Sequence, residues 1–220
     1  AFARFGSRVA LIEIAGRILP REEPEAAALV AEQLARDGVR LLLGASVSRV
    51  ETRGREKILR HAANGTTEEL AVDEILVGVG RSPNVEGLGL ERAGVAFDVR
   101  GVSVNRRLQT TNRKIFAAGD VCSRYKFTHA ADAMAQVVVQ NALFPHPFGL
   151  GYATADSLLI PWCTYTDPEI AHVGLYEQEA RAEGLEVETY TFNLDEVDRA
   201  ILDGQEQGFA RIHVRKGTDK

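Results

Sequence analysis

The chain has 220 residues, 45% of them hydrophobic and 26% charged, with a formal net charge of −5. This is the balance of a globular protein, too long for one minimal domain and marginal for two, and its acidity argues against a nucleic-acid partner, which needs a basic face. No run approaches the ~18 apolar residues of a membrane span, no signal-peptide pattern opens the chain, and its two cysteines, Cys122 and Cys163, lie too far apart for a CxxC pair and are too few for a disulfide scaffold or a Cys-rich zinc site.

A cytoplasmic α/β protein is therefore the expectation. Residues 1–6 read as the last turn of a helix closed by a C′ glycine, Gly6, without an initiator Met. Residues 8–13 are a β-branched-rich apolar run ending on Glu13. The spacing predicts a helix over 22–37, with Pro24 in its first turn, an apolar stripe from Ala27 to Leu34, and Gly38 as its stop. A buried strand follows at 39–43 and a half-exposed one at 46–52. Strands at 57–62 and 68–72 flank Asn64-Gly65, a strong hairpin signal, and 74–79 reads as a buried return strand. From Gly80 the texture changes to Gly- and Pro-punctuated loops. A strand at 114–118 then runs into Gly119-Asp120, and an Ala/Val-rich helix spans 129–143 before Pro145 and Pro147. Beyond Pro161 come a strand at 162–166, the turn Asp167-Pro168-Glu169, a helix at 177–183 and strands at 187–192 and 209–214. A sheet that stops in the turn 216–220 makes the chain read as an internal piece of a longer polypeptide.

Glu13 is the first residue with chemical promise. An acid closing the second strand of a dinucleotide-binding βαβ unit accepts hydrogen bonds from the adenosine ribose, about 20 residues after the glycine fingerprint. That count puts the fingerprint before Ala1. The acid also repels a ribose phosphate, which favours NAD over NADP; the alternative is a solvated strand-end glutamate. Gly78 and Gly80 could let the backbone approach a cofactor closely, or simply turn the chain. Gly119-Asp120 is sharper. It places one carboxylate at the C-terminal edge of a sheet, where open α/β sheets bind ligands, and a carboxylate can accept two hydroxyl hydrogen bonds from a polyol. The helix beginning near Thr128-His129 aims its unpaired amides at the same space, suiting a partly anionic ring edge. The alternative is that Asp120 only supports its loop. His129 reads as a hydrogen-bonded structural histidine more readily than as a base, and neither cysteine reads as a nucleophile.

Three segments carry a family resemblance. Leu76-Val-Gly-Val-Gly80-Arg81-Ser-Pro-Asn84 resembles the "LVAxGRxPN" crossover of the pyridine nucleotide–disulfide oxidoreductases. Gln109-Thr-Thr-Asn-Arg-Lys-Ile115-Phe-Ala-Ala-Gly119-Asp120 resembles that family's second flavin motif, "TxxxxIxAxGD". Pro161-Trp-Cys-Thr-Tyr-Thr166-Asp-Pro168-Glu169-Ile-Ala171-His-Val173-Gly174 resembles the opening of its interface domain, "PxxxxTxPExAxVG". The resemblance covers essentially the whole chain, nearest to the mercuric reductase and dihydrolipoamide dehydrogenase types.

The resemblance implies an α/β fold in three parts. These are a partial Rossmann-like NAD(P)-binding unit (1–81), the C-terminal segment of an FAD-binding domain (82–150) and the start of an α+β dimerisation domain (151–220). It implies that Gly119 and Asp120 hold the ribityl chain of FAD, and that Thr128 and the helix from His129 face the isoalloxazine. Glu13 would bind the NAD ribose, Val47 would line the adenine pocket, and Gly78 and Gly80 would pass under the nicotinamide half. The implied parent is a cytosolic homodimer in which a nicotinamide cofactor passes hydride to flavin, then to a disulfide, then to a disulfide or Hg(II)-type acceptor. The family's CxxxxC, its glycine loops and its C-terminal His–Glu pair are not in this sequence, so the chain alone is expected to be inactive. The alternatives are an inert cofactor-binding or dimerisation fragment, or a cousin without the redox disulfide, such as a flavin oxidase or transhydrogenase.

Overall fold

The computed structural model describes residues 1–63 and 65–218. The chain divides into two compact units, one formed by 1–77 with 163–220 and the other by 78–162.

In the first unit, β1 (Ala10–Glu13) lies parallel to β2 (Arg40–Leu43), with Glu13 beside Leu43. The crossover between them is α1 (Pro24–Arg36), entered by a proline in its first turn, where the missing N–H costs nothing. Glu25 in the first turn and Arg36 in the last match the helix dipole. Ala27 and Val30, one turn apart on the inner face, are 2% and 1% exposed. Burying a valine this fully stabilises by roughly 1.5–3 kcal/mol, so a charged residue at Val30 would break the packing. A meander follows, in the antiparallel order β3 (Ala45–Arg53), β4 (Glu56–Ala63), β5 (Thr66–Val72). Neighbouring Ile58 and Leu59 point to opposite faces and both are buried, so β4 is covered on both sides. Ala63 pairs with Thr66 as the hairpin signal requires, although Asn64 lies outside the described residues.

From Cys163 the chain returns to this unit within β8 (Trp162–Thr164), which pairs with β9 (Ile170–His172) before α3 (Glu177–Ala182). An antiparallel ribbon of β10 (Val187–Asn193) and β11 (Phe209–Arg215) brackets the short α4 (Asp198–Leu202). The loop before α1 is tied to these elements. Arg211 donates to Glu23 at 2.7 Å and to Glu25 at 2.6 Å. The buried Glu22 carboxylate accepts the Tyr176 hydroxyl at 2.5 Å and the Thr164 hydroxyl at 3.2 Å. Burial, and then the hydrogen bond to Glu22 and its charge, push the Tyr176 phenol well above its ordinary range.

The second unit is loop-rich. Its short hairpin pairs β6 (Phe97–Asp98) with β7 (Gly101–Val102), and its one long helix is α2 (Thr128–Leu143). Met134 and Val137 of α2 pack with Leu108 in a small buried cluster. Buried Asn141 fastens the helix to the loops: its amide donates to the carbonyls of Arg107 (3.2 Å) and Ala153 (2.9 Å), and its oxygen accepts the Ala153 N–H at 2.9 Å.

Two expected strands are absent. Residues 74–79 form no strand, and Leu76, Val77 and Val79 are 84%, 72% and 91% exposed. The β1–β2 sheet is two-stranded, so among the described residues no neighbouring strand pairs the N–H and C=O groups of this apolar run. Residues 114–118 are also not a strand. Ile115 N–H closes a turn on the Asn112 carbonyl, and beyond it Thr110 N–H to the Ile115 carbonyl and Ala117 N–H to the Leu108 carbonyl form only a single antiparallel bridge, Gln109 to Phe116. Asp120 thus follows a short extended segment held by one bridge, not the edge of a sheet. The alternation read over 46–52 is also weaker than expected, since β3 is exposed along most of its length.

Candidate functional site

The second unit builds its site around the Gly119–Val121 3₁₀ turn. The turn is anchored upstream by the Thr-Thr-Asn stretch. Thr111 Oγ1 accepts the Ala96 N–H and donates to the Gly94 carbonyl, while the Asn112 amide donates to the Ala93 carbonyl at 2.7 Å. Gly119 is buried against α2 at φ +78°, and a Cβ there would lie 2.8 Å from the Ala131 Cβ. Only glycine satisfies both constraints. Its N–H points at the Met134 sulfur, 3.4 Å away, and its carbonyl accepts the N–H groups of Cys122 and Ser123. From the other side, Gly101 admits the Val121 carbonyl to 2.2 Å of where its own Cβ would be. The sequence reading counted Gly101 only as loop punctuation, and its place against this turn emerges from the fold.

Held in this way, Asp120 is exposed. Its backbone carbonyl accepts Lys126 Nζ at 2.7 Å, and the same ammonium reaches the Ser123 carbonyl at 3.0 Å. Among the described residues the Asp120 carboxylate has no hydrogen-bonding partner, so both oxygens are available to hydroxyl donors. The turn packs on the first turns of α2, whose start carries no side-chain cap at Phe127. The leading amides of Thr128, His129 and Ala130 therefore have no intrahelical acceptor. Thr128 and His129 are both exposed. The His129 ring lies 2.7 Å from the Pro161 carbonyl through Nε2 and stacks on Phe127 at 5.4 Å, as the structural alternative expected. Cys122 is half-buried, and burial pushes its thiol pKa up despite the nearby Lys126.

In the first unit, Glu13 closes β1 and its Oε1 accepts the N–H of Ala15 at 2.8 Å. The Ala15 carbonyl in turn accepts the Gly44 N–H at 2.8 Å. Val47 lies on β3 opposite His61 and is 43% exposed. Gly78 and Gly80 are exposed, with open space where a Cβ would stand, but they follow no strand. The sequence reading missed Arg17, which holds the loop after Glu13 by three hydrogen bonds to backbone carbonyls. Carbonyl acceptors leave no residue pattern in a sequence, so only the coordinates find it.

Chemically these groups offer a carboxylate at Asp120 and another at Glu13 as hydrogen-bond acceptors, and the free amides at the start of α2 as donors. Among the described residues no cluster of three or more His, Cys, Asp or Glu could hold a metal, and Cys122 and Cys163 are free thiols. No described helix is long and apolar enough to cross a membrane.

Comparison with known proteins gives a concordant result. Residues 1–135 match the family described as pyridine nucleotide-disulphide oxidoreductase, and residues 160–220 match the dimerisation domain of that family. The chain is 35% identical over its whole length to a mercuric reductase of Staphylococcus aureus, covering 39% of that protein. It is 37% identical over 99% of its length to a dihydrolipoyl dehydrogenase of Thermus scotoductus, covering 46% of it. Among solved structures, the HOCl-induced flavoprotein disulfide reductase RclA from Escherichia coli superposes with a TM-score of 0.82 at 30% identity, over 97% of this chain and 48% of that one. LpdA from Mycobacterium tuberculosis gives 0.84 at 27% identity, over 99% of this chain and 46% of that one. The chain thus spans less than half the length of each of these relatives.

Proposed function

The chain belongs to the pyridine nucleotide-disulphide oxidoreductase family, and from that premise we propose that it is the cofactor-holding portion of an FAD-dependent reductase. The observation that carries the proposal is the unpartnered, exposed Asp120 carboxylate on a turn seated against the uncapped start of α2. This donor and acceptor set fits FAD. The Asp120 oxygens accept ribityl hydroxyls, and the amides of Thr128, His129 and Ala130 together with the helix dipole stabilise negative charge on the pyrimidine edge of the ring. Gly119 sets the direction of Asp120, and the His129 contact to the Pro161 carbonyl keeps that ring from occupying the space. The flavin, when bound, supplies the two-electron chemistry, and the protein supplies orientation and electrostatics.

At the other cofactor, Glu13 receives the adenosine ribose hydroxyls of a nicotinamide nucleotide, and its charge disfavours a 2′-phosphate, so NADH is the proposed donor. Val47 borders the adenine, and Gly78 and Gly80 leave room for the nicotinamide half. The whole protein then moves hydride from NADH through the flavin to a disulfide or to a metal ion such as Hg(II), the substrate named for its Staphylococcus relative. Cys122 and Cys163 are separate free thiols, so the redox disulfide of that reaction is not theirs, and the 220 residues alone bind without turnover. The dimerisation segment, 160–220, supports a homodimer of the whole protein. The two free thiols suit a reducing compartment, and we place the protein in the cytoplasm.

Flavin retention tests the proposal. Each charge-assisted hydrogen bond at Asp120 contributes about 1.5–3 kcal/mol, so Asp120→Ala should weaken FAD binding by about tenfold or more while leaving the fold intact. An Asp120→Ala protein that retains FAD as tightly as the wild type, by absorbance after dialysis, would refute the assignment.

A further inference from the structure

The segment that leaves Glu13 runs through bends and turns to α1, yet it is tightly held. Arg17 Nη1 donates to the Leu19 carbonyl at 2.8 Å, and Nη2 donates to the carbonyls of Pro20 at 2.8 Å and Glu22 at 2.9 Å. One guanidinium therefore satisfies three carbonyls of a single turn from two nitrogens held at fixed spacing in one plane, a spread that the single nitrogen of a lysine does not have. The turn includes Leu19 at φ +48°, a conformation costly for a leucine, and buries Ile18 to 5% exposure. Its far end is fixed where the Glu22 carboxylate takes the Tyr176 and Thr164 hydroxyls. Its near end is Ala15, whose N–H holds Glu13 Oε1.

These contacts form one chain of constraint. Arg17 sets the turn, the turn sets the Ala15 N–H, and that N–H sets which way the Glu13 carboxylate faces. A cationic residue four positions after a ribose-binding acid would, if free, attract a nucleotide phosphate. Here three of its five N–H donors are committed to backbone oxygens of its own turn. We propose that Arg17 is a positioning residue for the adenosine end of the nicotinamide nucleotide, acting through the Ala15 amide on Glu13 and not as a phosphate ligand. The inference rests on the reading of Glu13 as the ribose acceptor.

The test uses the full-length, flavin-loaded protein and ADP-ribose as the binding probe, alongside NADH kinetics with an artificial electron acceptor. Misdirecting one charge-assisted hydrogen bond should weaken binding about tenfold. Arg17→Ala and Arg17→Lys should both raise the ADP-ribose Kd and the NADH KM by that factor, equally at low and high salt, with kcat nearly unchanged. Wild-type affinity in Arg17→Lys would show that the forked donor geometry is not needed and overturn the proposal, and a loss that vanishes at high salt would show an ionic contact to phosphate and overturn it as well. Unaltered affinity in both variants would overturn it too. Glu13→Gln separates the two layers. If it leaves ADP-ribose affinity intact, the ribose reading fails; if it weakens binding while the Arg17 variants do not, only the positioning role fails. Should Arg17→Ala not fold, Arg17→Lys carries the test through hydrogen exchange. The Ala15 amide should lose protection in that variant, and full protection would count against the proposal.

Discussion

Gly119→Ala gives the most direct test of the turn that presents Asp120. Alanine would have to adopt φ +78°, a left-handed conformation that costs an L-residue roughly 1–2 kcal/mol. Its methyl would also stand 2.8 Å from the Ala131 Cβ, well inside contact distance, and overpacking of this kind costs roughly 1–3 kcal/mol. The sum is a loss of about 2–5 kcal/mol, with weaker flavin retention because Asp120 is displaced with its neighbour. Urea unfolding measures the first effect and FAD absorbance after dialysis the second. Ala131→Gly separates the two contributions. Alone it costs about 1 kcal/mol as a glycine inside a helix, but beside Gly119→Ala it removes the clash and leaves the backbone penalty. The double variant should therefore be more stable than the sum of the single losses by about 1–3 kcal/mol. Strict additivity, or a Gly119→Ala loss below about 0.5 kcal/mol, would refute the reasoning.

Other outcomes follow from the same contacts. Asn141→Ala removes three hydrogen bonds, to the Arg107 and Ala153 carbonyls and from the Ala153 N–H, at a part-buried site, and urea unfolding should show a loss of about 1–3 kcal/mol. Tyr176 has its phenol pKa raised in the folded state. The stability from its bond to Glu22 is complete below the unfolded tyrosine pKa of about 10 and declines as pH rises above it. Tyr176→Phe should flatten that alkaline decline in unfolding midpoints, and an unchanged slope would count against the bond. Glu13→Lys should lower the NADH-to-NADPH ratio of kcat/KM by about tenfold or more, since removing a repulsive charge and adding an attractive one exceeds ~1.4 kcal/mol. An unaltered ratio would place nucleotide selection elsewhere.

Much of this architecture was readable in the residue string because its causes are local. Pro24, the apolar stripe and Gly38 delimit α1 to within two residues of the observed Pro24–Arg36. The Asn-Gly signal sets the β4–β5 register at Ala63 and Thr66. Glu13 and Asp120 were identifiable as candidates because each ends a recognisable local pattern. The two absent strands show where local reading stops. The runs at 74–79 and 114–118 have strand composition, but a strand needs a neighbour that pairs its backbone over several residues; the first has no strand partner among the described residues and the second only the Gln109–Phe116 bridge, because pairing is a property of the fold. The same holds at the sites. That Asp120 is an acid is in the sequence, but that its carboxylate is exposed and without a hydrogen-bonding partner among the described residues, on a turn packed against α2, is not. The tertiary structure alone shows that Gly119 is pressed between Ala131 and Met134, that Gly101 receives the Val121 carbonyl, and that Arg17 is held by three carbonyls. Backbone oxygens and the free space beside a glycine are the same for every sequence, so only the path of the chain decides which side chain meets them.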